Sequence, residues 1–373
     1  MVFSARVRPS LKNCWGAIFR IHAVPERDIE AGQEPCQLAR LGLSEWPRFT
    51  RPFMPTKPRV LFITATRIGD AVLGSGLLAH LADTMPRARF TIACGPVVAP
   101  LFAAVPGLEH ILVMRKERRA GGHWLRLWQD TVGTCWDLVV DLRSSGLSWL
   151  LCAGRRRILS PIKTEEHRVV RMSKVLRTGA PLGPRIFPSV EALAEAERRL
   201  PQAGTALALA PTANWFGKQW PIERFIALAK ALAAPGSPFS EAPVLVLGGP
   251  GEREAAAPLL DAVPPERRID LVGATDLLTA YACLARSRLF IGNDSGLMHL
   301  AAASGIPTLG LFGPSREALY APWGPLAASI RGEPYETIIG PGFDRFAPRS
   351  YMTALTVDAV LEAARALLAR SNR

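Results

Sequence analysis

Twice along this chain, short apolar runs rich in β-branched residues alternate with longer segments of helical pattern. Apolar runs of about five residues are what strands need when a parallel sheet is covered on both faces. The first series places strands at 60–64, 90–94, 111–114, 138–142 and 157–159, with amphipathic segments at 71–85 and 124–134. The alternation restarts after residue 185. Strands are expected at 206–210, 244–247, 269–272, 289–291 and 308–312, and helices at 223–234, 252–262, 276–286 and 296–304. An amphipathic helix is expected at 357–370. Parallel strands need a crossover between them, so this pattern dictates an α/β chain with helices layered on parallel sheets. Two series predict two Rossmann-like domains facing each other across a cleft, linked through the Pro/Gly-rich stretch 179–188. Ligands of such sheets bind beyond the carboxyl ends of the strands. The strand-to-helix turns are therefore where chemistry is sought.

Composition narrows the classes. Of 373 residues 49% are hydrophobic, ample for packed cores. No apolar run approaches the roughly 18 residues that span a bilayer, and no signal-peptide core follows the early arginines. The cysteines at 14, 36, 94, 135, 152 and 283 form no C-x-x-C pair, and several, such as Cys94 and Cys283, sit on apolar strand or helix faces, which fits reduced, buried thiols in a cytoplasmic protein and no zinc site. Net charge is +13, with clusters at 115–119, at 155–157, and at Arg168 with Arg171. Such clusters suit a phosphorylated substrate or an anionic lipid surface, and equally a solvated basic face. No aromatic-rich pattern accompanies them, so nucleic acid is not an expected partner. Residues 1–53 lack periodicity and are expected to be a poorly ordered extension, or to precede a true start at Met54.

Four turns carry candidate chemistry. Gly292-Asn-Asp-Ser-Gly296 joins an apolar strand to an Ala-rich helix. The first N–H groups of a helix have no intrahelical partner and sit at its positive dipole end, so phosphate is a natural guest there. Asp294 and Ser295 equally suit a helix N-cap. In Thr64-Ala-Thr-Arg-Ile-Gly-Asp70, Asp70 reads either as an N-cap or as a general base at the cleft, with Gly69 allowing close approach. In the turn 210–221, Lys218 is a compact cation suited to a diphosphate, or an ordinary surface lysine, and Trp215 and Trp220 read as anchors of the loop. The glycines of 247–254 do not fit G-x-G-x-x-G; Glu252 or Glu254 there suits ribose hydroxyls, or a solvated helix start. His299, one turn after Ser295, reads as a packing residue or a support for the phosphate loop.

Taken together, Arg67-Ile-Gly-Asp70, Lys218-Gln-Trp-Pro221, Gly248-Gly249 with Glu252, and Gly292-Asn-Asp-Ser-Gly-Leu-Met-His-Leu-Ala-Ala-Ala303 resemble glycosyltransferase family 9, the ADP-heptose:lipopolysaccharide heptosyltransferases. Leu311-Phe-Gly-Pro314 and Pro322-Trp-Gly324 complete a resemblance that covers about residues 58 to 370. It implies a GT-B fold: an acceptor domain at 54–185, a nucleotide-sugar domain at 186–355, and a C-terminal helix at 356–373 packing back on the first domain. It further implies inverting, metal-independent transfer of a heptose or related sugar from an ADP-sugar, with no cofactor. The acceptor would be an anionic, lipid-linked lipopolysaccharide core, met in the cytoplasm or in peripheral contact with the inner membrane. By the same resemblance Asp70 is the base and Lys218 holds the diphosphate with the N–H groups of Ser295, Gly296 and Leu297. Gly69, Asn214, Glu252, Asp294 and His299 complete the donor site. Apart from the resemblance, Arg143, Arg115 and Arg155 could meet phosphates or carboxylates of the acceptor, and Arg143, after the strand at 138–142, is the best placed. The chain departs from the family pattern at Gly76, where many members carry proline, and at Ala213 and Asn214, where some carry threonines. Two other readings compete: a sugar-nucleotide 2-epimerase, and a nucleotide-sugar-binding protein without catalysis.

Overall fold

The computed structural model describes residues 57–115, 121–162 and 164–371. The expectations for 1–53 and for Met54, and most of the 115–119 cluster, lie outside the described residues. The first sheet holds β1 (Arg59–Ile63), β2 (Arg89–Cys94), β3 (Leu108–Val113), β4 (Trp136–Asp141) and β5 (Ala153–Ile158), all parallel, in the order β3-β2-β1-β4-β5. The second holds β6 (Ala206–Ala210), β7 (Val244–Gly248), β8 (Arg268–Val272), β9 (Ser287–Asn293), β10 (Thr308–Phe312) and β11 (Ala327–Arg331), in the order β11-β10-β9-β6-β7-β8. Each is a doubly wound sheet whose strand order reverses at its first strand. The reversal points lie between β1 and β4, where Ile63 pairs with Asp141, and between β6 and β9, where Ala210 pairs with Gly292. All four turns singled out in the sequence leave the carboxyl ends of strands.

Helices α1 (Ile68–Thr84), α2 (Gly122–Thr131) and α3 (Arg168–Ser173) belong to the first sheet's part of the chain. After them come α4 (Val190–Arg199), α5 (Ile222–Leu232), α6 (Arg253–Ala262), α7 (Leu277–Ala285), α8 (Gly296–Ala303), the short α9 (Glu317–Tyr320) and α10 (Tyr335–Ile338), and α11 (Val357–Ser371). The segment expected to be amphipathic at 71–85 is buried almost all round, from Ala71 to Ala79 and again at Leu81 and Ala82. It lies between the first sheet and α8, so one apolar core runs from Val60 and Phe62 through α1 into Met298, Leu300 and Phe312. The link 181–189 crosses α1 at Gly76, where a Cβ would lie 2.1 Å from the Gly183 carbonyl oxygen. That contact is the reason glycine stands there.

Two expectations are corrected. The last helix does not pack on the first domain: α11 buries Val360, Ala364, Leu367 and Leu368 in the core of the second sheet, against α5, β10 and β11. The carbonyl of Leu355 accepts hydrogen bonds from Trp220 Nε1 (2.8 Å) and from the Arg224 guanidinium, so the chain is pinned beside α5 just before the helix begins. The cysteines are also not uniformly buried. Cys94 and Cys283 are buried, and that burial pushes their thiols up to about 12 and about 11. Cys135 and Cys152 are exposed, at the starts of β4 and β5, with Sγ atoms 2.7 Å apart. The register that pairs Trp136 with Ala153 sets the residues before them side by side.

Candidate active site

The turn after β9 leaves its helix uncapped. Ser295 occupies the N-cap position of α8, yet its side chain accepts no cap hydrogen bond and its buried Oγ has no partner. Asp294 does not cap either. It is buried, its N–H donates to the Leu311 carbonyl (3.1 Å), and its Oδ2 accepts from Lys218 Nζ at 2.6 Å. The first N–H groups of α8, including those of Gly296 and Leu297, therefore keep their positive end uncapped by any side chain among the described residues. Lys218 reaches this point because Asn293, fully buried, ties the β6 loop to the β9 turn. Its Oδ1 accepts from Trp220 N–H (3.0 Å) and its Nδ2 donates to the Pro211 carbonyl (2.7 Å). Trp220 is buried as a loop anchor; Trp215 instead packs against Phe343 and Tyr351. Asn214 is exposed, two residues from Thr212.

Thr212 and the glycine loop after β7 meet at Glu252. One carboxylate oxygen, Oε2, accepts from Thr212 Oγ1 and from the Gly249 N–H, both at 2.6 Å. Glu252 stands at the N-cap position of α6 but folds back over its own loop instead of capping. Gly251 takes φ +85°, the left-handed turn that makes this return possible.

From the first domain, α1 delivers Asp70. Arg67 occupies the N-cap position, so Asp70 is the third helical residue and its carboxylate caps nothing. It is about a quarter exposed and faces the Arg168 guanidinium at 3.5 Å. The starts of α1 and α8 touch. A Cβ on Gly69 would lie 2.9 Å from His299 Cδ2, and one on Gly296 would lie 2.6 Å from Ile68 Cβ. Replacing Gly296 by alanine is expected to destabilise the fold by about 1–3 kcal/mol, because two helices in one core must separate. Denaturant unfolding reads this out, and an unchanged midpoint would show that the junction is not tight.

His299 is buried between the two helix starts, its Nδ1 without a partner. Burial pushes its pKa down to about 4, against the opposing pull of Asp294 and Asp70. In the unfolded chain the same imidazole takes a proton near pH 6.5. Its contribution to stability is thus complete above that pH and is lost as pH falls toward 4, by up to about 3 kcal/mol. Unfolding free energies measured from pH 7 to 4 are expected to fall less steeply in His299→Gln than in the parent. Equal slopes would place the acid sensitivity elsewhere, for instance at His167, whose pKa burial also lowers.

Beside Asp70 an open cavity of about 640 Å³ is lined by Arg67, Arg143, Arg168 and Arg171, with Thr64, Ser144 and apolar neighbours. Of the acceptor candidates Arg143 lines it. Arg115 and Arg155 are exposed and are not among its lining residues. Reading the sequence missed the cavity roles of Arg67, Arg168 and Arg171, although the Arg168/Arg171 cluster was visible as charge. Helix α3 carries two of them and is held by His167, whose Nδ1 accepts from Val169 N–H while Nε2 donates to the Ala321 carbonyl (2.9 Å). Among the described residues no group of three His, Cys, Asp or Glu side chains gathers as a metal site, and no helix is long and apolar enough to cross a membrane.

The chain is similar to known proteins in both sequence and fold. Lipopolysaccharide heptosyltransferase 2 of Salmonella typhimurium is 26% identical over 314 residues, covering 73% of this chain and 88% of that protein. The glycosyl transferase family 9 structure from Veillonella parvula superposes with a TM-score of 0.70 at 20% identity, covering 84% of this chain and 98% of that one. E. coli ADP-heptose lps heptosyltransferase II does so with a TM-score of 0.63 at 22% identity, covering 84% and 100%. These neighbours share the two-sheet GT-B fold. The model of glycosyltransferase family 9 (heptosyltransferase) matches residues 143–338, more than half of the chain and all of the uncapped turn after β9. With its turns, its two opposed sheets and this match in agreement, the chain is a glycosyltransferase and belongs to family 9, the heptosyltransferases.

Proposed function

We propose that this enzyme moves a heptose, or a closely related sugar, from an ADP-sugar to an anionic, lipid-linked lipopolysaccharide core acceptor. The observation that carries the reading is the junction of two helix starts. The uncapped α8 turn with Lys218 lies against the α1 start that presents Asp70. A sugar leaving a diphosphate passes through an oxocarbenium-like state while negative charge grows on the leaving group. The N–H groups of Ser295, Gly296 and Leu297 and the Lys218 ammonium stabilise that charge from fixed positions, where no reorganisation is needed. Asp294 holds Lys218. Glu252, with Oε1 left over, takes ribose hydroxyls; Asn214 and Gly69 border the donor, and His299 supports the turn as a neutral imidazole. Asp70 takes the proton of the acceptor hydroxyl as the new bond forms on the opposite face, which inverts the anomeric centre without need of a metal.

Residues 54–185 then form the acceptor domain and 186–355 the donor domain. The arginine-lined cavity beside Asp70 suits phosphates or carboxylates on the acceptor. On this reading the enzyme works at the cytoplasmic face of the inner membrane, in peripheral contact with it. Incubation with ADP-heptose and deep-rough lipopolysaccharide tests the reading, with mass spectrometry following both substrates. Transfer with inverted configuration supports it. An isomerised donor without transfer points to an epimerase, and binding without turnover to a non-catalytic protein. A panel of nucleotide sugars in the same assay identifies the donor.

A further inference from the structure

The loop that shapes one wall of the arginine-lined cavity is built around a carboxylate that the proposed reaction does not use. Asp141 ends β4 and is fully buried. Its Oδ1 accepts from the Arg143 N–H at 2.7 Å. Its Oδ2 accepts from the Ser145 N–H at 2.8 Å and from the Ser145 and Ser148 hydroxyls, both at 2.6 Å. The chain from Arg143 to Ser148 is thus wrapped on one side chain. Between the two bonded amides, Ser144 takes a left-handed φ of +54°, with its hydroxyl donating to the Leu159 carbonyl. A non-glycine residue holds that conformation only where its surroundings impose it. Arg143 and Ser144 both line the cavity, and the Arg143 guanidinium stands 5.9 Å from the centre of the Trp124 ring.

We infer that Asp141 is a positioning residue for acceptor recognition: by binding the Arg143 and Ser145 amides it fixes the loop that aims Arg143 into the cavity. The inference rests on the proposed reading that this cavity takes the anionic acceptor. The chemistry makes a sharp demand. Two backbone N–H groups point at two different oxygens, and a carboxylate accepts both. An asparagine amide offers one acceptor oxygen and an NH₂ group, so one backbone N–H would face another donor.

Steady-state kinetics with ADP-heptose and deep-rough lipopolysaccharide, alongside thermal unfolding, test this on Asp141→Asn, on the double variant Ser145→Ala/Ser148→Ala, and on Arg143→Ala. Asp141→Asn is expected to raise the acceptor KM about tenfold or more and leave the donor KM within about twofold, the scale of a lost hydrogen bond to a charged group. The double serine variant keeps both amide bonds and is expected to raise the acceptor KM about threefold. It carries the test alone if Asp141→Asn does not fold. A merely structural role would lower the melting temperature and the active fraction while both KM values stayed put, and that result overturns the inference. If Arg143→Ala raises the acceptor KM while neither Asp141→Asn nor the serine variant does, the positioning role fails and the cavity reading stands. If Arg143→Ala leaves the acceptor KM unchanged, the cavity reading itself fails, and the inference with it.

Discussion

Replacing Asp70 by alanine is expected to lower turnover by about 10²–10⁴-fold, the usual scale for loss of a general base. The donor should bind as before. The expectation follows from what the carboxylate is not doing. The cap position of α1 belongs to Arg67, so Asp70 contributes no cap hydrogen bond. Its ion pair to Arg168 is long at 3.5 Å and partly exposed, which makes it a weak source of stability. On the proposed reading, a carboxylate so placed, at the mouth of the cavity and against the start of α8, serves the acceptor hydroxyl and not the fold. Asp70→Asn keeps the shape and removes the basicity, and should fall as far as the alanine variant. The check is kcat with saturating ADP-heptose and acceptor, with ADP binding measured by calorimetry. Full activity in either variant would exclude Asp70 as the base. Loss of melting temperature with retained kcat would make it a structural residue instead.

Lys218→Ala is expected to cost about 10²–10³-fold in kcat and to weaken ADP binding, the scale seen when one fixed electrostatic donor to a developing negative charge is removed. Two effects add. The leaving diphosphate loses its cation, and Asp294, with only 8% of its side chain exposed, loses the ammonium 2.6 Å away. An unpaired carboxylate then sits at the positive end of α8, where it would repel the donor phosphate of the proposed reading. The paired variant Lys218→Ala/Asp294→Asn separates the two effects. It should recover part of the ADP affinity while kcat stays low. Titration of ADP against all three proteins measures this, and unchanged binding and rate in Lys218→Ala would remove its role. Lys218→Arg is not expected to restore activity, since a planar guanidinium does not replace a compact ammonium in a tight turn.

Most of the strands and long helices were legible because burial on both faces leaves a continuous apolar run, and a covered helix leaves a period. The elements missed lack those signals. β11 is the half-buried stretch Ala-Ala-Ser-Ile-Arg at the sheet edge, and α4 turns only Ala192 and Ala196 fully inward. Helix α3 is six residues long, too short to show a period. The uncapped turn at Asp294 and Ser295 was readable only as an ambiguity, because a capping side chain and a phosphate loop use the same residue types. What the fold adds is a contact 76 positions away in sequence: Asp294 pairs with Lys218 and does not cap the helix. For Glu252 the fold shows a side chain turned back onto its loop, its Oε2 shared by Thr212 and the Gly249 amide.

By itself, then, the sequence determined the two parallel sheets, the turns at their carboxyl ends and membership of family 9. These are local matters, written in apolar period, glycine placement and short motifs. Tertiary structure alone decided which turn side chains meet, which arginines face one cavity, and on which sheet α11 lies. A charged surface position carries no burial signal to say where it points; Arg143 is favoured in sequence only by its place after a strand, and the fold alone puts it on the cavity and Arg155 off it. The last helix has an apolar face that would suit either domain. It lies on the second sheet, where Val360, Ala364, Leu367 and Leu368 are buried and the Leu355 carbonyl before it is held by Trp220 and Arg224 from far back in the chain.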